Sequence, residues 1–219
     1  MKQFCDLTAY CGVIFDMDGT LVDSDKAIAK AVEPWCQMHN LDLDMVLKTG
    51  RGIRFKDFIT HFVPHLDIHN EAKNLERAEE TFVNCVNEVA GASRFIHYLS
   101  EIKLPWVLAT SADKQNAITR MQTCQLPIPA EMVTAQDVCK GKPDPEPFML
   151  AAEKLGLQTH QCLVFEDSEA GVTGALEAGC DVVVVGGFCQ LTHPRIVARI
   201  ADYTSWNTTI EEAVKTCKG

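Results

Sequence analysis

The sequence predicts a doubly wound α/β fold, a parallel sheet with helices on both faces, that carries an all-helical domain inserted after its first strand. Short, almost wholly apolar segments alternate with helical segments over the second half of the chain, as in sheets buried on both faces. A long helical stretch without a convincing strand follows the first apolar run. The 219 residues, 47% of them hydrophobic, suffice for one such core and a small insert.

Five apolar runs are the predicted strands of the sheet. They lie at 11–16 (CGVIFD), 105–111 (PWVLATS), 130–136 (AEMVTAQ), 162–167 (CLVFED) and 181–187 (DVVVVGG). Helices are predicted at about 93–102, 113–124, 145–156 and 168–178, and Gly179 is a plausible C-cap of the last one. Strands and helices that alternate in this way build a parallel sheet with crossover helices.

The segment between the first two strands is predicted to be a domain of its own. The stretches DKAIAKAVEPWCQMHN (25–40) and EAKNLERAEETFVNCVNEVA (71–90) carry apolar residues at helical spacing. The whole segment is too long for one crossover helix. We therefore expect a core domain formed by residues 1–23 and 92–219 and a helical domain formed by residues 24–91.

Charge and composition restrict the partners. The net charge of −10 argues against binding of nucleic acid, because phosphate backbones favour a basic protein surface.

No stretch approaches the roughly 18 apolar residues of a membrane span, and the first residues have no signal-peptide core. The ten cysteines include no C-x-x-C pair, so free thiols in a reducing cytoplasm are expected. The expected assembly is a monomer or a weak dimer.

Polar side chains gather at the carboxyl edge of the predicted sheet, where parallel sheets bind ligands. In chain order they are Asp16 and Asp18, Thr110 and Ser111, Lys140 and Lys142, and Glu166 and Asp167. Any one pair alone fits a turn or a helix cap, but all of them on one edge favour a site. Crowded carboxylates need a counter-charge, and Mg²⁺ prefers oxygen ligands and a shared substrate phosphate.

Four motifs resemble those of the haloacid dehalogenase superfamily of phosphohydrolases. The family's DxDGT motif matches FDMDGT (15–20), and its strand that ends in Thr or Ser matches WVLATS (106–111). Its lysine before a proline-rich helix start matches GKPDPEPF (141–148), and its acidic pair matches VFEDSEAG (164–171). The resemblance covers residues 12–205 and implies a Rossmann-like core with a small helical cap at residues 24–91.

The resemblance implies a role for each acidic residue. Asp16 is the expected nucleophile, which forms an aspartyl-phosphate, and Asp18 is the expected general acid and base. Asp16, the backbone carbonyl of Asp18 and the carboxylate of Asp167 are the expected ligands of Mg²⁺. Glu166 is either a further ligand or a residue that orients the ligands.

The resemblance also implies phosphate and substrate contacts. Thr110 and Lys142 complete the expected catalytic set, with Lys142 paired to Asp16 and Lys140 as the alternative lysine. The expected substrate-binding residues are Gly19 and Thr20 of the first motif, Ser111 of the second, and Arg51 and Arg54 of KTGRGIRFKDF (48–58). The two arginines fit equally well as solvated residues of the helical domain.

The implied activity is magnesium-dependent phosphomonoester hydrolysis of a small phosphorylated metabolite, such as a sugar phosphate or glycerol phosphate. Asp18 and the acidic pair argue against a dehalogenase, which lacks them. A β-phosphoglucomutase-like mutase is the alternative, but such mutases carry a histidine near the position of Ile28, and here no histidine precedes His39. A non-catalytic sugar-phosphate-binding regulator is disfavoured because all four motifs are intact.

Overall fold

A computed structural model shows a mainly parallel α/β core and describes residues 6–206. Residues 1–5 and 207–219 of the predicted core domain, with Cys5 and Cys217, lie outside the described residues. The strands are β1 Gly12–Phe15, β2 Val22–Asp23, β3 Asn87–Glu88, β4 Trp106–Ala109, β5 Met132–Val133, β6 Cys162–Glu166, β7 Asp181–Val185 and β8 Ile196–Ile200. The α-helices are α1 Asp25–His39, α2 Leu43–Gly50, α3 Phe55–Phe62, α4 Ile68–Glu80, α5 Ala92–Glu101, α6 Lys114–Thr123, α7 Glu146–Lys154 and α8 Glu169–Glu177.

The main sheet has the strand order β5-β4-β1-β6-β7-β8, and its pairings are parallel. Strand β1 lies inside the sheet and is buried along its whole length. Val13 and Phe15 pack into the apolar cluster on one face, whereas Ile14 packs into the cluster on the other face. Side chains of a strand alternate between faces, so a continuous apolar run is what two helix-covered faces require. The predicted doubly wound fold is confirmed.

A sixth strand of this sheet, β8, was not predicted. It pairs with β7 at the edge of the sheet, and Arg199 in it is exposed between the buried residues Ala198 and Ile200. An edge strand with one solvent-exposed face alternates apolar and polar residues. This pattern is a weaker sequence signal for a strand than a continuous apolar run. The strand predicted at 130–136 is shorter in the structure, where β5 spans Met132–Val133.

Helices α1 to α4 form a helical insert, residues 25–80, with an apolar cluster of its own around Trp35, Phe58 and Ile59. The predicted helical stretch 71–90 is wrong in its second half, because α4 ends at Glu80. After α4 the chain must return to the core domain next to the place at which it entered the insert. It does so through β3, which pairs antiparallel with β2, and through the amide of Val89, which donates to the carbonyl of Leu21.

No helix within residues 6–206 is long and apolar enough to cross a membrane.

The cysteines of the described part of the chain are free thiols, as predicted, and Cys36, Cys162, Cys180 and Cys189 are buried. They therefore pack as small apolar side chains.

Candidate active site

The candidate site lies at the carboxyl ends of three neighbouring strands. Strand β1 pairs with β4 on one side and with β6 on the other, so the residues that follow these strands meet at one edge. Asp16, Glu166 and Asp167 are buried and place one carboxylate oxygen each within 4.8 Å of the others. The expected convergence of the first and fourth motifs is therefore present in the structure.

Lys142 lies between two of these carboxylates. Its Nζ donates to Asp16 Oδ1 at 2.5 Å and to Glu166 Oε1 at 2.8 Å, and its side chain is fully buried. Lys140, the alternative lysine, is 75% exposed and pairs with Asp144 instead. The structure thus brings Lys142, and not Lys140, to the nucleophile candidate.

The carboxylates at this edge carry more negative charge than Lys142 balances. Burial raises the pKa of Asp16 to about 7, and the charge of Glu166 adds to this effect, while Lys142 opposes it. Burial and the charges of Glu166 and Asp16 raise the pKa of Asp167 well above its usual range, against the opposing effect of Arg51. Asp167 Oδ1 is buried and has no hydrogen-bond partner among the described residues. This donor set fits a Mg²⁺ ion.

We expect the thermal midpoint of the chelator-treated protein to fall by roughly 5 °C or more as the pH rises from about 5 to about 8. An acid whose pKa is raised by folding stabilises the folded state below its ordinary pKa, and this contribution is lost as the pH rises through the folded value. For Asp16 that window runs from 3.8 to about 7. A Mg²⁺ ion held by this donor set would raise the midpoint most at high pH, because it would bind the ionised carboxylates.

Differential scanning fluorimetry across this pH range, with EDTA or with MgCl₂, measures the effect. Asp16→Asn should reduce the pH dependence of the midpoint in EDTA, whereas Asp44→Asn, at an exposed position on α2, should leave it unchanged. A midpoint in EDTA that does not depend on pH would contradict the expectation. So would a magnesium effect of equal size at both ends of the range.

Glu166 is held on both of its oxygens. Oε1 accepts from Lys142, and Oε2 accepts from the amide and the hydroxyl of Ser168 at 2.7 and 3.0 Å. The first turn of α8 makes room for this carboxylate, since a Cβ on Gly171 would lie 1.6 Å from Glu166 Oε1. Glycine is therefore required at 171 if Glu166 is to stay in place.

The loop of the first motif contains Gly19 and Thr20, two of the predicted substrate-binding residues. Gly19 has φ +85°, and a Cβ there would lie 2.2 Å from Asp167 Oδ2, so both the backbone conformation and the close approach require glycine. Thr20 is fully buried, and its Oγ1 has no partner within residues 6–206. Gly19 thus lies against Asp167 at the site, whereas Thr20 is buried and neither of the two predicted substrate-binding residues lines the cleft.

The second motif is also at the site. Thr110 is buried at the end of β4, and its Oγ1 accepts from the amide of Ala112 at 3.1 Å. Ser111 Oγ donates to the carbonyl of Gly52 in the helical insert at 2.8 Å. Ser111 therefore joins the core to the insert.

The two arginines of the insert loop have different surroundings. Arg51 donates to Asp25 Oδ1 at 2.6 Å and to Asp167 Oδ2 at 2.8 Å, with its guanidinium 3.7 Å from the ring centroid of Phe188. Arg54 is buried and donates to Asp57 and to the backbone carbonyls of residues 138 and 139. The interpretation of Arg54 as a solvated residue is wrong, because these contacts fasten the insert to the loop that leads to Lys142.

A buried arginine that the sequence analysis missed contacts Asp18. Arg120, on α6, donates to Asp18 Oδ1 and to Glu79 Oε2, both at 2.6 Å. Burial raises the pKa of Glu79 to about 7, although Arg120 opposes the shift. A signal was available, since Asn116 and Arg120 stand one turn apart on the buried face of α6, next to Ala117 and Met121.

The seated insert and the core enclose a cleft of about 730 Å³, a size suited to a small-molecule ligand. Asp16 and Asp18 line it from the core. The insert contributes an apolar wall, formed by Ile28, Val32, Val46, Leu47, Ile53, Phe55, Phe58, Ile68 and Ala72. The candidate nucleophile thus faces a partly open cleft with mixed polar and apolar walls.

The family model described as haloacid dehalogenase-like hydrolase matches residues 13–185, more than half of the chain. The chain belongs to the haloacid dehalogenase-like hydrolases. The match reaches from β1 to β7 and includes the helical insert and the four motifs. The family membership predicted from those motifs is therefore confirmed.

Two curated relatives of this haloacid dehalogenase-like hydrolase are phosphatases. Hexitol phosphatase A of Escherichia coli (strain K12) is 37% identical over 177 residues, which cover 80% of this chain and 82% of the relative. Glycerol-1-phosphate phosphohydrolase 1 of Saccharomyces cerevisiae is 30% identical over 180 residues, which cover 78% of this chain and 72% of the relative. The prediction of a phosphatase is supported by both.

A solved structure of a mutase shares the fold of this chain. A β-phosphoglucomutase from Clostridium difficile superposes with a TM-score of 0.78, over 96% of this chain and 100% of that chain. Its sequence identity to this haloacid dehalogenase-like hydrolase is 16%, so the similarity concerns the fold.

Proposed function

We propose that the chain is a magnesium-dependent phosphomonoesterase that hydrolyses small phosphorylated metabolites through an aspartyl-phosphate. One observation carries the proposal: Asp16 is a buried carboxylate hydrogen-bonded to Lys142, and it shares a cleft with Asp18. The names of the two relatives, a hexitol phosphatase and a glycerol-1-phosphate phosphohydrolase, support sugar phosphates and polyol phosphates as the substrate class.

In the first proposed step, Asp16 attacks phosphorus and the bond from phosphorus to the leaving oxygen breaks. Lys142 already holds Oδ1 of Asp16, which leaves Oδ2 as the attacking oxygen. Protonated Asp18 gives its proton to the leaving oxygen, so that a neutral alcohol departs. Lys142 holds positive charge beside the reacting carboxylate throughout.

In the second proposed step, a water oxygen attacks the phosphorus of the aspartyl-phosphate. Asp18, now a carboxylate, takes a proton from this water, and the bond between phosphorus and Asp16 breaks. Asp16 is restored as a carboxylate, and inorganic phosphate leaves. Over both steps, one phosphate ester and one water become one alcohol and one inorganic phosphate. Thr110 and Ser111 are the proposed contacts for the phosphoryl oxygens.

The magnesium ligands in this proposal are the carboxylates of Asp16 and Asp167 and the backbone carbonyl of Asp18. The free, buried Oδ1 of Asp167 supports its role. A bound Mg²⁺ supplies positive charge against the phosphoryl oxygens. Glu166 has donors on both oxygens, so of its two predicted roles we propose the one that orients Lys142 and α8.

We propose that residues 24–91 are a cap domain that closes the cleft and excludes bulk water. Three contacts support a seated cap: Ser111 with Gly52, Arg54 with the carbonyls of residues 138 and 139, and Arg51 with Asp167. Arg51 and Arg54 both line the cleft and remain proposed substrate contacts. For Arg54 we propose in addition a role in holding the loop before Lys142.

The proposal is tested by phosphate release from a panel of sugar phosphates, polyol phosphates, nucleotides and glycolate phosphate. We expect turnover of polyol or sugar phosphates with MgCl₂ and none with EDTA, because four carboxyl groups at the site, including Asp18, would repel the substrate phosphate without a cation. Activity should return when MgCl₂ is added in excess. Full activity in the chelator-treated enzyme would contradict the magnesium assignment.

The same panel separates the hydrolase from the mutase. Ile28 lines the cleft near the position at which a mutase carries its histidine, and its apolar side chain cannot activate a sugar hydroxyl in place of water. Glucose 1-phosphate should therefore give no glucose 6-phosphate, even with glucose 1,6-bisphosphate added. Isomerisation faster than phosphate release would replace the hydrolase by the mutase, and binding without any turnover would favour a regulator.

A further inference from the structure

Arg120 connects the candidate acid and base to the helical insert. Its guanidinium donates to Asp18 Oδ1 through one terminal nitrogen and to Glu79 Oε2 through the other, both at 2.6 Å. The side chains of Arg120 and Glu79 are only 5% and 6% exposed, whereas that of Asp18 is 23% exposed. The planar fork of an arginine suits two carboxylates at once, and a lysine ammonium does not reproduce that geometry.

The three residues come from different parts of the molecule. Asp18 follows β1 and Arg120 lies on α6, both in the core, while Glu79 lies on α4 of the insert. Asn116, also on α6, donates to the carbonyl of Glu76 on α4 at 3.2 Å. The contact between Glu79 and Arg120 therefore belongs to a seam between α4 and α6 that exists when the insert is seated.

We infer that Arg120 is a positioning residue for Asp18 and that Glu79 holds Arg120 in place when the cap is seated on the core. The inference rests on the proposed function, in which Asp18 transfers the proton. Because Arg120 occupies Oδ1, Oδ2 is the oxygen that gives the proton to the leaving group and takes one from water. Seating of the cap thereby fixes the orientation of the acid before the ester bond breaks.

A positioning role and a purely structural role for Arg120 predict different effects on two esters that differ in their leaving groups. p-Nitrophenolate leaves readily without a proton, whereas the alkoxide of a glycerol phosphate requires one. Loss of a correctly oriented acid therefore slows the alkyl ester far more than the aryl ester. Loss of general structural integrity slows both esters to the same extent. The ratio of kcat/KM for the two esters isolates the positioning role, since kcat/KM does not include the later hydrolysis of the aspartyl-phosphate.

The test uses Arg120→Met, Arg120→Lys and Glu79→Gln in the full chain with MgCl₂. For Arg120→Met we expect kcat/KM to fall on the order of a hundredfold for glycerol 1-phosphate and less than about fivefold for p-nitrophenyl phosphate. Arg120→Lys keeps the charge without the fork and should recover part of the loss. Glu79→Gln should lower kcat/KM for glycerol 1-phosphate by about tenfold, because Arg120 then loses its partner on the cap.

Matched controls are available on α4. Arg77→Lys and Glu80→Gln make the same chemical changes at exposed positions and should leave the ratio of the two esters unchanged. Circular dichroism establishes that each variant is folded; if Arg120→Met is not, the lysine and glutamine variants carry the test.

Equal losses on the two esters, or no loss on either, would overturn the positioning role while leaving the phosphatase proposal intact. A wild-type enzyme that with MgCl₂ hydrolyses neither of these two esters nor any phosphate ester of the panel would overturn the phosphatase proposal itself, and the inference with it. The two failures are therefore distinguishable from the wild-type measurement alone.

Discussion

Asp16→Asn is expected to abolish both turnover and covalent phosphorylation, a loss of at least about ten-thousand-fold in kcat. An amide oxygen is a poor nucleophile, and an asparagine cannot balance the charge of Lys142, which lies 2.5 Å from Asp16 Oδ1 in the wild type. Phosphate release gives the rate. Mass spectrometry of acid-quenched enzyme, followed by peptide mapping, gives the phosphorylated residue.

Two further variants serve as comparisons for Asp16→Asn. Asp18→Asn should still accept a phosphoryl group from p-nitrophenyl phosphate, but its turnover should fall a hundred- to ten-thousand-fold because proton transfer is lost. Asp44→Asn, exposed on α2, should behave as the wild type. Phosphorylation of Asp16→Asn, or a phosphoryl group mapped to a residue other than Asp16 in the wild type, would refute the assignment of the nucleophile.

The sequence was sufficient for the core of the fold and for the residues at its edge. Strands such as β1 are buried on both faces, so their apolar runs are continuous and easy to identify. The motif residues follow strands β1, β4 and β6, which are neighbours in the sheet. Parallel topology then brings Asp16, Thr110 and Glu166 together without any knowledge of side-chain contacts.

The missed features depend on contacts that local patterns do not record. Arg120 and Asp18 are 102 residues apart in the chain, and Arg120 and Glu79 are 41 apart. The helical spacing of α6 places Arg120 next to the buried residues Ala117 and Met121, but its partners become apparent only when the packing of α4 against α6 is known. The end of α4 at Glu80 was missed for the same reason. Strand β3 forms only because the returning chain pairs with β2, a contact that the local sequence does not show.

The burial of Arg54, a loop residue, likewise could not be predicted from the local sequence. A glycine-bearing loop with two arginines is compatible with solvent exposure, with substrate contact and with burial. Burial results from two unrelated circumstances: Asp57 lies one turn further along α3, and the backbone carbonyls of residues 138 and 139 face the insert. The second circumstance is a property of the assembled molecule rather than of the loop sequence.

Lys142→Met is expected to lower kcat by about a thousandfold and to destabilise the protein by about 3–5 kcal/mol at neutral pH. Methionine keeps the volume and apolar stem of the side chain but removes a charge that is fully buried between Asp16 and Glu166. Two carboxylates would then face each other without their cation. The loss of activity is measured as phosphate release, and the loss of stability as the midpoint of thermal or urea unfolding.

The loss of stability in Lys142→Met should depend on pH in a defined direction. Lys142 lowers the pKa of Asp16, which burial raises to about 7, so removal of the lysine raises this pKa further. An acid with a raised pKa in the folded state loses its stabilising contribution as the pH rises through that value. The deficit relative to the wild type should therefore be smallest near pH 5 and largest above about pH 8. Lys140→Met, at a 75% exposed position, should show no deficit at any pH, and a deficit in Lys142→Met that is independent of pH would mean that Lys142 stabilises the fold by packing rather than by its charge.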